Sequence, residues 1–133
     1  MVREGTDIAL LALGNMVEVA MAAGDVLEGA GVSTSVINAR FAKPLDGDFL
    51  EEAATDRKLV VTLEDNVVSG GFGSGVLQVL NERIPGVQVM IKGLPDSFVE
   101  HGATAELLKE VGLDAERVAA DVLAWLGTHE KKA

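Results

Sequence analysis

Short apolar runs alternate with amphipathic stretches along the chain. Asp7 to Leu13 (DIALLAL) is too continuous for a strand with one wet face, and reads as a strand buried on both faces. Asn15 to Ala30 reads as a helix, opened by Asn15 with Glu18 three residues later in the manner of a capping box. Its Ala20, Ala23, Gly24 and Leu27 share a face, and small residues at the centre of that face let a helix sit close on a sheet. Gly31 follows as a C-terminal stop. The pattern then predicts a strand over Thr34–Asn38, a helix from about Asp46 to Ala54 and a strand over Lys58–Leu63. A glycine-rich turn leads into a helix ending near Arg83, followed by a strand over Val87–Ile91. A short helix near Thr104–Val111 and a last one over Asp114–Leu126 complete the order. In the last helix Val118, Val122, Trp125 and Leu126 share one face, which makes Trp125 a core or interface residue rather than a cofactor platform.

This alternation implies βαβ units: an α/β fold with a mostly parallel sheet and helices on both faces. Met1 to Glu4 is placed to add a short edge strand. At 133 residues the chain fits one domain, able to bury roughly two-thirds of its unfolded surface. The polar tail Thr128 to Ala133 is expected to fray. The first element begins almost at the chain's start, as in a fragment of something longer.

Charge narrows the choice of partners. Eleven basic against 21 acidic residues give a formal net charge of −10, which disfavours a nucleic-acid surface or an anionic membrane. The longest apolar run, Ile8 to Leu13, is far too short to span a bilayer, and Arg3, Glu4 and Asp7 do not make a signal peptide. Without cysteine there is no disulfide, thiolate metal site or cysteine nucleophile. These features together predict a soluble cytoplasmic domain.

Three segments could carry chemistry. Ser69-Gly70-Gly71-Phe72-Gly73-Ser74-Gly75 lies between a strand and a helix, where backbone N–H groups can hold an anion. It misses the phosphate-loop pattern, with Val76 where lysine is needed, and Val76 also replaces the third glycine of a dinucleotide fingerprint. Close packing of helix on sheet is the competing explanation. Glu64-Asp65-Asn66 marks the carboxyl end of the third strand, with Arg40 and Lys43 leaving the neighbouring strand at the same edge, so an Arg40–Glu64 pair is expected there. The third segment is Gly93-Leu94-Pro95-Asp96-Ser97-Phe98-Val99-Glu100-His101-Gly102. His101 has no second histidine, serine or carboxylate at catalytic spacing, and with Glu100 alone it falls short of a metal site.

VINARFAKPLD, LEDNVVSGGFGSGV and GLPDSFVEHG, in this order, resemble the C-terminal domain of the transketolase-like, thiamine-diphosphate-dependent enzymes. The Asn-Ala-Arg-Phe and Glu-His-Gly elements are most similar to the 1-deoxy-D-xylulose-5-phosphate synthases. The β subunits of 2-oxo-acid dehydrogenases look similar over Gly14 to Gly73, and split transketolases have a similar Pro-Asp turn. The resemblance implies a five-stranded, mostly parallel sheet with an antiparallel edge strand. It also implies an enzyme that condenses pyruvate with glyceraldehyde 3-phosphate, losing carbon dioxide, in non-mevalonate isoprenoid synthesis. Thiamine diphosphate and Mg²⁺ would be held by upstream domains, and no catalytic, cofactor-binding or metal-binding residue carries over to this chain. The implied role is support of a homodimer and of domain packing. Arg40, Phe41, Lys43, Glu64, Gly70, Gly71 and Gly73 would form the strand-end surface, with Asp96, Glu100 and His101 at the adjoining corner. A free-standing module binding a small anion at the glycine turn is the reading outside this family.

Overall fold

The computed structural model describes residues 2–39, 46–67, 71–94, 109 and 112–130. Among these, four strands and four helices alternate: β1 (Ile8–Ala12), α1 (Met16–Gly29), β2 (Thr34–Asn38), α2 (Gly47–Ala54), β3 (Leu59–Val67), α3 (Phe72–Arg83), β4 (Val89–Leu94) and α4 (Ala115–Glu130). The strands form one parallel sheet in the order β2-β1-β3-β4. Every residue of β1 is buried, as its unbroken apolar run requires. Ile8, Leu10 and Ala12 face α1 and α4, together with Leu59, Val61 and Leu63. Ala9 and Leu11 face α2 and α3, together with Ile37 and Val60. Strand addition reverses direction at β1, and the helices change face there, as right-handed crossovers demand. The carboxyl ends of β1 and β3 therefore meet at the topological switch point, where Leu13 N–H donates to Leu63 O at 3.0 Å.

Local chemistry explains most boundaries. α1 ends in a Schellman closure, with Gly31 at φ +83, Gly31 N–H on Glu28 O and Val32 N–H on Leu27 O. Its small face, Ala20, Ala23 and Gly24, is buried, and a Cβ on Gly24 would stand 2.8 Å from an Arg3 guanidinium nitrogen. The expected capping box is not formed. Asn15 is already helical (φ −62, ψ −19) and its side chain makes no cap. Gly14 at φ +56 turns the chain so that Leu13 O and Gly14 O receive the Met16 and Val17 N–H groups. At α2 the Asp46 carboxylate does cap, accepting from Phe49 N–H at 3.1 Å.

Three expectations change. The sheet has four strands among the described residues, not five. On the β2 side the antiparallel edge is a single bridge, Arg3 to Val36, in the segment where an edge strand was expected. β3 runs on through Glu64, Asp65 and Asn66 to Val67, past the end expected at Leu63. α4 continues to Glu130, so Thr128 and His129 are helical rather than frayed. The His129 ring stacks on Trp125 at 3.9 Å, with its Nδ1 2.8 Å from Trp125 O. The short helix expected over Thr104–Val111 lies almost wholly outside the described residues.

Candidate functional site at the start of α3

β3 alternates faces, so Val60, Thr62 and Glu64 are in phase toward α3. Glu64 is fully buried. A carboxylate out of water needs compensating donors, and the amino end of α3 supplies them. Glu64 Oε2 accepts from Phe72 N–H at 2.7 Å and Oε1 from Gly73 N–H at 3.2 Å. Both oxygens thus meet the first orphan donors of the helix, where the dipole favours negative charge. Gly71, the N-cap, has no side chain to offer, so the cap arrives from the neighbouring strand.

The same turn explains a glycine. A Cβ on Gly73 would lie 2.6 Å from Ile91 Cγ2 and 2.6 Å from Thr62 Oγ1, so α3 begins flush against β3 and β4. Beneath it the Thr62 hydroxyl is buried without a hydrogen-bond partner. Glu64, Gly71 and Gly73 of the candidate residues are therefore brought together. Arg40, Phe41, Lys43, Gly70, Asp96, Glu100 and His101 lie outside the described residues, and with them the expected Arg40–Glu64 pair.

What this arrangement does is bind an anion that the protein itself provides. The two amides that an external phosphate would use are engaged by Glu64. Having no exposed surface, Glu64 also cannot act as acid or base on a substrate outside. A diphosphate cofactor with a divalent cation does not fit these residues. Among the described residues no three of His, Cys, Asp and Glu are grouped to hold a metal ion. No described helix is long and apolar enough to cross a membrane.

Two further features were not singled out by sequence reasoning. On the α4 face Asp121 joins Lys92 Nζ at 2.6 Å and Arg117 Nε at 3.0 Å. Burial works to raise the Asp121 carboxyl, but hydrogen bonds from Lys92 and Arg117 outweigh it and hold it below the ordinary range. The Arg117–Asp121 spacing of four on a helix was the available signal. On the opposite face Ile37, Phe49, Glu52, Ala53 and Arg57 line a groove of about 340 Å³.

Comparison with known proteins follows this geometry. The family model "Transketolase, C-terminal domain" matches residues 1–118. A 1-deoxy-D-xylulose-5-phosphate synthase of Pelotomaculum thermopropionicum is 49% identical over 124 residues, covering 91% of this chain and 19% of that protein. That of Shouchella clausii is 44% identical over 131 residues, covering 98% and 21%. The chain spans about a fifth of the length of these curated relatives. A solved "Split gene transketolase, inactive beta4 tetramer" superposes with a TM-score of 0.80 at 37% identity, covering 92% of this chain and 39% of that one. The alternation of four strands and four helices, the internally capped α3 and these matches have one explanation: the chain belongs to the transketolase C-terminal domain family.

Proposed function

We propose that this chain is the C-terminal, assembly-supporting domain of a 1-deoxy-D-xylulose-5-phosphate synthase. The reaction would be the condensation of pyruvate with glyceraldehyde 3-phosphate and loss of carbon dioxide. The carrying observation is identity of 44–49% to synthases across nearly the whole chain, over only about a fifth of theirs. Thiamine diphosphate and Mg²⁺ belong in this reading to the upstream domains, which would supply the carbanion chemistry. The residues of this chain hold shape: Glu64 fixes α3 against β3 from inside, and the strand-end groups Arg40, Phe41 and Lys43, with Asp96, Glu100 and His101, face the neighbouring domains or a second subunit. The protein is read as a cytoplasmic homodimer.

The experiment compares the native polypeptide carrying this segment with the chain alone. The longer protein should release carbon dioxide from pyruvate in the presence of glyceraldehyde 3-phosphate, and the chain alone should not. Turnover by the chain alone, or an immunoblot band at the chain's own mass, overturns the reading. A second reading, a split transketolase, is favoured by the 37% identity to such a structure. It predicts a native polypeptide of which the matched part of this chain makes up about 39%, as it does of that one.

A further inference from the structure

The turn out of α2 leaves an arginine with one side of its guanidinium unused. Thr55 closes α2 in an extended conformation, Asp56 follows at φ +63, and Arg57 N–H donates back to Ala54 O at 3.1 Å. The Arg57 side chain lines the groove that Ile37 of β2 shares with α2. Its Nη1 donates to Thr55 O at 3.1 Å, whereas Nε is out of water and meets no acceptor. Nη2 has no partner among the described residues and reaches water. Nε–H and one N–H of Nη2 point the same way, and together they form the fork that grips a carboxylate through two parallel bonds. Among the described residues no carboxylate pairs with Arg57, although the chain carries 21 acidic residues.

The groove beside this fork is walled by Ile37, Phe49 and Ala53, the last two one turn apart on α2. Phe49 is one of the few large apolar side chains left exposed, at 39%. Most of the acidic residues around α2 are engaged elsewhere. Asp48 bonds Arg83 at 2.7 Å, and Asp46 and Glu51 act on the same guanidinium. Glu52 is the one α2 carboxylate lining the groove, and being exposed it opposes an anion only weakly. We infer that this groove binds a small amphipathic carboxylate, with its head on Arg57 Nε and Nη2 and its apolar body against Ile37, Phe49 and Ala53. The volume of about 340 Å³ falls at the small end of ligand pockets. Nε–H has already given up water, so a carboxylate entering past Nη2 restores a bond there without further desolvation of that donor. The site lies on the flank of α2, apart from the strand-end residues, and does not depend on the synthase reading.

Titration of the isotope-labelled chain with phenylacetate, read by amide and arginine side-chain NMR, tests it. Saturable shifts should centre on residues 46–57 and on the Arg57 Nε–H. Phenylacetamide, which keeps the shape without the charge, should bind at least about tenfold more weakly. Acetate, which lacks the apolar body, should also fall at least about tenfold behind. Arg57→Gln should weaken phenylacetate binding by a similar factor, with amide shifts away from α2 unchanged to show that the fold is kept. Arg57→Lys should recover only part of the loss, since it restores the charge without the fork. Glu52→Gln should tighten binding by up to about twofold. No saturable shift up to about 30 mM phenylacetate overturns the inference. So do shifts centred elsewhere, equal binding of phenylacetamide, or unchanged affinity in Arg57→Gln.

Discussion

Glu64 closes the buried run of β3 and Arg57 lies two residues before that strand begins, and both hold polar atoms out of water. Glu64 is answered from within: two amides of α3 receive its carboxylate at 2.7 and 3.2 Å. Arg57 Nε is answered by nothing described. The difference teaches which end of the domain is finished. A buried charge met by a helix terminus is part of the folded unit, whereas an unmet donor beside an apolar groove is a demand the unit alone does not satisfy.

Removing the answered group should do the most damage. Glu64→Ala leaves two buried N–H groups without an acceptor and should cost about 3 kcal/mol in urea unfolding of the chain. Glu64→Gln keeps one acceptor oxygen but turns a donor toward the second amide, and should cost about half as much. If Glu64→Gln unfolds at the same urea concentration as the parent, charge is not what closes α3. Gly73→Ala comes next. Alanine favours a helix by about 1 kcal/mol, but its methyl would press on Ile91 Cγ2 and Thr62 Oγ1, each 2.6 Å away. Overpacking should win, for a net loss of about 1–2 kcal/mol. A gain in stability would mean that β4 yields easily there.

Those two positions also mark the limit of what the sequence disclosed. The apolar run placed β1 to within a residue at each end, and the short β-branched segment Thr34–Asn38 placed β2 to the residue. The glycine turn was legible as close packing or as an anion site, and it has features of both, the anion being Glu64. Glu64-Asp65-Asn66 reads as marking the carboxyl end of the strand Lys58–Leu63, not as part of its buried run. The period of two from Val60 and Thr62 would have put Glu64 toward α3, but only knowledge that a helix begins there makes a buried carboxylate reasonable. Asn15 failed as a capping residue for a similar reason: Gly14 had already bent the backbone so that its carbonyls did that work. The Lys92–Asp121 contact joins β4 to α4 across the fold, and no local pattern announces such a pair.

That pair provides the third test, between the extremes of Glu64 and Arg57, because it is a partly buried charge answered by two exposed or half-buried cations. Lys92→Met keeps the apolar stem and should cost about 1 kcal/mol at neutral pH. The folded Asp121 carboxyl is held below its unfolded value, so its contribution is present above about pH 4 and is lost as pH falls through the folded value. The deficit of Lys92→Met should therefore shrink on acidification below about pH 4. A deficit of the same size at pH 3 and pH 7 would trace the effect to packing of the lysine stem instead.

The smallest expected effect is the one that most sharpens the contrast. In the chain alone Arg57→Met exchanges an N–H without an acceptor for apolar surface, and gives up only the exposed bond from Nη1 to Thr55 O. The two changes should nearly cancel, leaving stability within about 0.5 kcal/mol of the parent, with any residue on the side of a gain. Glu64 and Arg57 would then differ in kind: one substitution dismantles the unit and the other leaves it intact. A loss of 2 kcal/mol or so for Arg57→Met, read from the same urea titration, would show that Nε already has a partner in the folded chain. The groove would then be a finished part of the domain, and the distinction between its two ends would fall with it.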